Sequence, residues 1–457
     1  MVTLRSLRRH ASLPLLLAMR PVKNVDLVYF DAGGGHRATA LALQEGIAAQ
    51  HHPWRTRLVD LFELLDPDRR IERWLGAGPA ALYNRRVAAG WTFTLPLELK
   101  LLHAMIRLTS APMQRRLAQH WARTQPDLVV SVVPNFNRVL CQGLKTVLPQ
   151  VPFVTLMTDL ADVPPHFWIE PDLPQHIICG SEHAVRQARA AGQAPDLVHR
   201  TSGMVIREAF YRNVHSASAT APAAQRDRAA QRTALGLPVQ HPCGLVMFGG
   251  GGGAEMLAIA RALHDQPLLL LCGHDAALAR ALRKSHAIAR HVVVEFTREV
   301  PQYMALADYF IGKPGPGCLS EALHTGLPVI TVCNASTLPQ ERYNAQWVRS
   351  AGLGLALPNW RGIGAAVQLM HSQLGDFQQR VNGLDNRAVI EVPELLAQIA
   401  EAPPRRDPVP SPHAAPRGAS PAHPTGTRRQ AWARATWQRE ATTPRPCAEP
   451  TVAPRRP

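Results

Sequence analysis

The sequence predicts an α/β protein with two parallel-sheet domains and a disordered C-terminal tail. Short apolar runs of strand length alternate with amphipathic stretches of helical spacing from about residue 24 onward. The alternation stops near residue 216 and starts again near residue 244. At 457 residues the chain is also too long for one hydrophobic core, since single cores rarely exceed about 250–300 residues.

Five segments are predicted from changes in composition and periodicity. They are an N-terminal extension at 1–22, a first sheet domain at 23–215, a linker at 216–240, a second sheet domain at 241–401 and a disordered tail at 402–457. The linker is expected to be exposed because it is rich in Ala and Arg and lacks an apolar period. The tail holds thirteen Pro in 56 residues and has too little apolar content to offset its ordering entropy.

Strands are predicted at the short apolar runs. In the first domain these are Val25–Phe30, Thr56–Val59, Leu128–Val133, Phe153–Thr158, His176–Cys179 and Leu197–Thr201. In the second domain they are Gly244–Phe248, Leu268–Cys272, Val292–Phe296, Tyr309–Gly312 and Val329–Val332. Helical patterns separate most of them, which predicts parallel sheets.

Composition limits the class of protein. A hydrophobic content of 46% with 18% charged residues describes a globular chain, and no run approaches the roughly 18 apolar residues of a membrane span. The net charge of +16 favours phosphorylated ligands, anionic lipid surfaces or nucleic acid, without choosing among them. The seven scattered cysteines predict reduced thiols in a cytosolic protein.

Two glycine-rich motifs each follow a predicted strand and open a predicted helix. One is the stretch Asp31–Ala38, which reads DAGGGHRA, and the other is the run of five glycines Gly249–Gly253. Glycines let the backbone turn sharply and approach a ligand, while a helix N-terminus offers free N–H groups to an anion. Both motifs therefore predict phosphate-type sites.

A third motif spans Gly312–Asn344. A strand runs into the Gly/Pro loop Lys313–Gly317, and Glu321 follows in the first turns of a helix. A carboxylate at that place can accept both hydroxyls of a ribose while the helix N-terminus faces phosphates. The alternative is that Glu321 is an ordinary solvated helix residue.

The ordered set of these motifs resembles glycosyltransferase family 28. The likeness is carried by GGGHRA, TDL with PPHFW, the five-glycine loop, KPGPGCLSEALHTGLP and QERYNA, between about Asp26 and Gly354. Within the family it points to the monogalactosyldiacylglycerol synthases and processive diacylglycerol glucosyltransferases. The glucosaminyltransferase that makes lipid II is a more distant likeness.

The resemblance implies a GT-B fold, in which two Rossmann-like domains face a cleft and the second domain binds a UDP-sugar. Glu321 would bind the ribose and the glycine loop the diphosphate. The implied donor-binding residues are Gly250, Gly251, Gly252, Lys313, Gly315, Gly317, Ser320, Glu321, Gln340 and Asn344. Glu341 stands where the lipid II enzyme has a second amide, which leaves the donor sugar open.

The acceptor is implied to lie on the first domain, where several bases are candidates. The resemblance implies that His36 acts at the acceptor or in catalysis, and a His of near-neutral pKa suits a general base. The alternative is that His36 only binds a lipid phosphate or packs the loop. Asp159, at the end of a strand, is a rival base and Asp31 a third. The implied acceptor-binding residues are Gly33, Gly34, Gly35, Arg37 and His166.

The donor half lacks an Asp-x-Asp pair after a strand, so we expect no metal and no cofactor besides the UDP-sugar co-substrate. The leaving UDP would be neutralised by helix N-termini and by Lys313. Residues 71–121 are basic and dotted with aromatic side chains. This segment is either an ordinary amphipathic core helix or a contact with an anionic membrane surface.

Taken together, the sequence predicts an inverting glycosyltransferase at the inner face of the cell membrane. It would transfer galactose, glucose or N-acetylglucosamine from a UDP-sugar to a lipid acceptor, diacylglycerol above others. The alternatives are a UDP-sugar epimerase or hydrolase, a nucleotide-sugar-binding regulator without catalysis, and a basic RNA-binding protein. No specific nucleic acid partner is expected, because neither predicted sheet shows an RNP-like strand.

Overall fold

Two six-stranded parallel sheets form the body of the protein. The computed structural model describes residues 22–31, 34–68, 73, 95–214, 222–285 and 291–403. The strands of the first sheet are β1 (Lys23–Tyr29), β2 (Trp54–Asp60), β3 (Leu128–Ser131), β4 (Phe153–Leu156), β5 (His176–Cys179) and β6 (Val198–Arg200). Those of the second are β7 (Gly244–Met247), β8 (Leu268–Leu271), β9 (His291–Val294), β10 (Tyr309–Ile311), β11 (Val329–Val332) and β12 (Gly354–Leu357).

Helices connect most of these strands. In the first half they are α1 (Gly35–Ala49), α2 (Leu61–Leu65), α3 (Leu95–Leu108), α4 (Ser110–Thr124), α5 (Asn137–Val147), α6 (Glu182–Ala190) and α7 (Glu208–Val214). They continue as α8 (Pro222–Ala234), α9 (Glu255–Ala262), α10 (Ala276–Arg283), α11 (Val300–Leu306), α12 (Pro316–His324), α13 (Pro339–Ser350), α14 (Ile363–Ser372), α15 (Leu374–Asn382) and α16 (Ala388–Glu401). None of the described helices has the length and apolar composition needed to cross a bilayer.

The strand order places one ligand-binding edge in each sheet. The first sheet runs β2-β1-β3-β4-β5-β6 and the second β12-β11-β10-β7-β8-β9, so the order reverses beside β1 and beside β7. In open parallel sheets, ligands bind beyond the carboxyl ends of the strands at such a reversal. Both predicted glycine motifs directly follow these two strands, β1 and β7.

The two-sheet architecture predicted from the apolar runs is confirmed. β3, β7 and β8 are buried on both faces, as expected of parallel strands covered by helices. The edge strand β12 was missing from the sequence prediction. It begins at Gly354, where a Cβ atom would clash with the Val329 carbonyl oxygen of β11. A glycine is therefore required where β12 approaches the backbone of β11.

The segment predicted as an exposed linker contains helix α8, and most of its described positions are exposed. Arg232 on this helix is only 3% exposed and pairs with the Asp308 carboxylate, as does Arg228 at 2.8 Å. Burial alone would raise the pKa of Asp308, but the two guanidinium groups outweigh it and hold the pKa below its usual value. Helix α8 is therefore held in place by ion pairs. Because charged side chains make these contacts, the sequence of the helix shows no apolar periodicity.

The last helix of the predicted second domain, α16, packs against the first sheet. α16 packs its apolar side on the core of the first sheet, where Val392, Leu396 and Ile399 meet Val25 and Leu27. This is a correction to the predicted boundary at 401, because residues 388–401 cover the first sheet. The remaining boundaries stay predictions, and residues 404–457 of the predicted disordered tail lie outside the described residues.

The packing of α16 predicts a clear stability effect. Leu396 is fully buried, so Leu396→Ala removes buried methyl groups and leaves a cavity in the first core, at a cost of about 2–5 kcal/mol of unfolding free energy. Gln398 on the same helix is exposed, and Gln398→Ala should stay within about 0.5 kcal/mol. Urea unfolding followed by tryptophan fluorescence measures both. Equal effects of the two variants would contradict the assignment of α16 to the first core.

Candidate active site

The glycine loop after β7 presents bare backbone at the edge of the second sheet. Gly249 and Gly252 have left-handed φ angles of 83° and 69°, and a Cβ atom on Gly252 would lie 2.8 Å from the Cys272 carbonyl oxygen. Gly250 and Gly251 instead have open space where a side chain would stand. The loop therefore leaves the backbone between two structurally required glycines accessible to a ligand.

The loop before α12 brings Lys313 and Glu341 together. A Cβ atom on Gly315 would lie 3.6 Å from Lys313 Cε and 3.5 Å from Glu341 Oε1, so both side chains border this glycine. Asn344 is fully buried, and its amide group donates to the Pro314 carbonyl oxygen at 2.8 Å. In this structure Asn344 positions the loop, while direct contact of Asn344 with a sugar stays a prediction.

Two carboxylates lie beside this loop without direct ion pairs among the described residues. Burial raises the pKa of Glu321 to about 7, against the opposing charge of Arg207. Burial also raises the pKa of Glu341, which is 8% exposed, against the opposing charge of Lys313. Ser320 is buried and Gln340 half-buried next to these two residues. Acidic groups of this kind are ready to accept hydrogen bonds from the hydroxyls of a ligand.

At the edge of the first sheet, His36 is held among aromatic rings. Its Nδ1 atom lies 3.1 Å from the Thr158 hydroxyl, and its ring centroid is 4.6 Å from that of Phe30 and 5.9 Å from that of Trp168. Burial lowers the pKa of His36 to about 4, although a bond to the Val132 carbonyl opposes the shift. The imidazole is therefore neutral at physiological pH, and its role as a base stays a prediction.

Asp159 follows β4 next to Thr158 and has the properties of a general base. Its carboxylate accepts a hydrogen bond of 2.8 Å from Trp168 Nε1, and burial raises its pKa to about 7. The charges of Glu341 and Asp162 raise that pKa further. A base works best when its pKa lies near the operating pH, so Asp159 fits the role better than His36 does.

The other predicted residues of the acceptor loop are more exposed. Gly33 lies outside the described residues, while Gly34 takes a left-handed φ of 74° ahead of α1, which starts at Gly35. Asp31 pairs with Arg37 at 3.3 Å, and each side chain is about half exposed. This pairing in solvent leaves Asp31 poorly placed to act as the base.

The PPHFW stretch contributes its tryptophan to the site. His166 is exposed, and its ring approaches the Ile169 carbonyl oxygen at 3.2 Å, so it lines the turn without meeting Asp159. The Asp162 carboxylate accepts from the backbone N–H groups of His166 and Trp168, which fixes this turn. Trp168, which sequence reasoning passed over, is the side chain that reaches Asp159.

An aromatic pair beside the glycine loop was also missed. Phe296 after β9 is 52% exposed, and the His274 ring stacks on it with the centroids 3.9 Å apart. The His274 backbone N–H donates to the Gly250 carbonyl oxygen, which ties this pair to the loop. In the sequence, the available signal was an aromatic residue at the end of the predicted strand Val292–Phe296.

The two edges face each other. Glu341 on α13 is near enough to Asp159 at the edge of the first sheet for its charge to raise the pKa of Asp159. Leu160, the residue after Asp159, packs in the same hydrophobic core as Leu319 of α12. Across the described ranges, no three His, Cys, Asp or Glu side chains are grouped so that they could hold a metal ion.

Comparison with known proteins confirms the resemblance found in the sequence. Residues 245–361 match the model of the glycosyltransferase family 28 C-terminal domain. The second sheet is therefore similar to the C-terminal domain of glycosyltransferase family 28. Residues 86–206, in the first half, match the model of monogalactosyldiacylglycerol synthase.

Relatives extend this likeness over most of the chain. The monogalactosyldiacylglycerol synthase of Spinacia oleracea is 26% identical over 376 residues, which cover 76% of this chain and 65% of the relative. Monogalactosyldiacylglycerol synthase 1 of Arabidopsis thaliana is 28% identical over 355 residues, covering 74% and 62%. The chain thus spans less than two thirds of the length of these relatives.

A solved structure establishes the fold. The crystal structure of Acinetobacter baumannii MurG superposes with a TM-score of 0.50 at 12% identity, covering 83% of this chain and all of that one. Together with the two facing parallel sheets, this confirms the predicted GT-B fold.

The buried state of Asp159 predicts a pH-dependent gain of stability in Asp159→Asn. The folded pKa of about 7 lies above the unfolded value of about 3.9, so the fold favours the protonated carboxyl. That contribution is present at low pH and is lost as pH rises from about 4 to 7. Asparagine mimics the protonated acid, so Asp159→Asn should be more stable than the wild type at pH 8, by at most about 4 kcal/mol.

Thermal unfolding between pH 5 and pH 8 measures this difference. The melting temperature advantage of Asp159→Asn should shrink as the pH is lowered. Asp172→Asn is the matched control, because Asp172 is exposed and should show no such trend. A constant difference over this pH range would contradict a raised pKa at Asp159.

Proposed function

We propose that this protein is an inverting hexosyltransferase that moves a sugar from a UDP-sugar to a lipid acceptor, with diacylglycerol as the first candidate. The observation that carries the proposal is the buried carboxylate of Asp159, whose pKa is about 7, facing the family 28 donor edge. The names of the relatives support galactose as the sugar and diacylglycerol as the acceptor.

In the proposed reaction, Asp159 takes the proton from the acceptor hydroxyl. The oxygen then attacks the anomeric carbon of the donor while the bond to the UDP oxygen breaks on the opposite face, which inverts the configuration. His36 is neutral and lies within the same cluster through Thr158, so it remains the second candidate for the proton. The leaving diphosphate is stabilised by Lys313 and the N-terminus of α12, with no metal ion or further cofactor.

The donor would lie along the carboxyl ends of the second sheet. Gly250 and Gly251 offer open backbone to the diphosphate. Glu321 accepts the ribose hydroxyls, and the face of Phe296 is a platform for the uracil base. Gln340 and Glu341, near Lys313, would bind the hydroxyl groups of the sugar. Polar side chains at these positions suit a hexose donor. Gly317 and Ser320 follow Lys313 in the first turns of α12, near the same phosphates.

Helix α3 would contact the membrane that holds the lipid acceptor. The membrane surface would be anionic and would be the inner face of the cell membrane. Three apolar side chains recur at positions i, i+4 and i+7 on this helix and are 62%, 52% and 85% exposed: Leu101, Met105 and Leu108. Arg107 is exposed beside them, a combination that favours anionic lipid. The His103 ring meets the Asn135 side chain at 2.6 Å, which ties α3 to the carboxyl end of β3. The aromatic residues between 74 and 94 lie outside the described residues.

The ribose assignment predicts that Glu321→Ala loses donor binding. Hydrogen bonds to a charged group contribute about 1.5–3 kcal/mol each, so the loss of both ribose bonds should raise the Kd for UDP at least about 100-fold in calorimetry. Glu321 is half-buried, and the desolvation that raises its pKa disfavours the charged form, so its removal should leave the melting temperature unchanged or higher. Glu394→Ala, at an exposed position of α16, is the control and should bind UDP normally. Unchanged affinity in Glu321→Ala would refute this part of the donor site.

The base assignment predicts the pH dependence of turnover. If Asp159 is the base, kcat/KM with UDP-sugar and diacylglycerol vesicles should rise with pH through a midpoint of about 7 and level off above it. Asp159→Asn should lower kcat at least about 100-fold. A rise with its midpoint near pH 4, together with a larger loss in His36→Ala, would assign the base to His36 instead.

The same assay separates the alternative functions. Mass analysis should show a hexosyl lipid when several UDP-sugars are incubated with a total lipid extract. Free sugar or an altered nucleotide sugar would indicate a hydrolase or an epimerase. Binding of UDP without any product would indicate a regulator, and retention on RNA rather than UDP-agarose at high salt would indicate an RNA-binding protein.

A further inference from the structure

A pair of stacked rings joins the two halves of the protein. His183 lies in the first turn of α6, which follows β5 of the first sheet, and Tyr343 lies on α13, which follows β11 of the second. Their ring centroids are 4.3 Å apart and the planes are inclined by 17°. Burial lowers the pKa of His183, so the ring that stacks on the tyrosine is neutral at physiological pH.

On the first-sheet side, the stack is connected to the segment that carries Asp159. The Ser181 hydroxyl donates to the carbonyl oxygen of Leu160, the residue after Asp159, and accepts from the Ala184 N–H at 3.0 Å as the cap of α6. His183 lies between these two positions in the chain. The start of α6 is therefore fixed relative to the backbone beside Asp159.

On the second-sheet side, the stack is connected to the donor edge. Tyr343 is on the same helix as Gln340 and Glu341, the residues proposed to meet the sugar. The next residue, Asn344, holds the Pro314 carbonyl and with it the loop that contains Lys313. A shift of α13 relative to α6 would thus move the donor edge relative to Asp159.

We propose that His183 and Tyr343 are positioning residues, whose stack fixes the distance between the donor helix α13 and the base Asp159. This inference rests on the proposed glycosyl transfer, in which the acceptor oxygen and the anomeric carbon must meet at about 3–3.5 Å. A displacement of about 1 Å in such a geometry can cost about 100-fold in rate. Neither His183 nor Tyr343 is among the residues proposed to hold the ribose or the phosphates, so loss of the stack should affect turnover more than donor binding.

The test compares Tyr343→Ala with Tyr343→Phe, which keeps an aromatic ring in the stack. Tyr343→Ala should lower kcat about 10-fold to 100-fold while the Kd for UDP, measured by calorimetry, stays within about 2-fold. Tyr343→Phe should restore kcat to within about 3-fold of the wild type. Gln346→Ala, at an exposed position on the same helix, is the control and should behave as the wild type. A parallel loss of kcat and UDP affinity in Tyr343→Ala, or failure of phenylalanine to rescue, would overturn the proposal.

The partner residue provides an independent check. His183→Ala should resemble Tyr343→Ala, and the double variant should be no slower than either single variant, because the same contact is lost once. Additive losses would show two unrelated defects and would overturn the proposal.

Hydrogen exchange gives a measure that does not depend on activity. Tyr343→Ala should increase amide exchange in α6, residues 182–190, on the opposite side of the cleft, while Gln346→Ala should not. If the wild type transfers no sugar, the proposed function fails while increased exchange in α6 still supports the structural link. Unchanged exchange in α6 would overturn the positioning role in either case.

Discussion

The burial of Asp159 between the two halves is the constraint on which the candidate site depends. Its carboxylate receives one hydrogen bond from a neutral indole, and it lies beside a second buried carboxylate, Glu341, on the facing edge. Burial raises the pKa of Asp159 to about 7 and the charge of Glu341 adds to this rise, while the indole hydrogen bond favours the charged form and only partly opposes it. The protein keeps this unfavourable group in place through the packing of Leu160, the next residue, in the core of the second half.

The same topology explains why the ligand-binding groups of both sheets meet. In each sheet the strand order reverses beside the first strand of that half, and the glycine motif follows this strand. Turns at that position leave the helix N-terminus and the backbone open, because neighbouring connections run to opposite sides. When two such edges face each other, one supplies the base and the other the phosphate and sugar contacts, and their alignment is set by interdomain contacts rather than by either sheet.

The sequence predicted the features that are encoded locally. Eleven of the strands follow from short apolar runs, and the donor loop follows from glycines and a Lys313–Glu321 segment that is continuous in the chain. Features that depend on contacts between distant segments were not predicted. Trp168 meets Asp159 only through a turn fixed by Asp162, and α16 returns to the first core after the whole second sheet. Helix α8 is held by Arg232 and Asp308, so periodicity gave no sign of it.

Two carboxylates on the donor edge resemble Asp159 in that burial raises their pKa values. Glu321 and Glu341 are both buried enough to raise their pKa values, and each has one cation near it, Arg207 or Lys313. Arg207 belongs to the segment between β6 and α7, so the charge that favours ionised Glu321 comes from the connection between the halves. Acidic side chains whose charged form is disfavoured by burial therefore lie where the two edges face each other. For Glu321 and Glu341, one nearby cation offsets only part of this cost. Such a site is less stable than an apolar interface of the same shape, and this cost is expected where groups must remain free for a ligand.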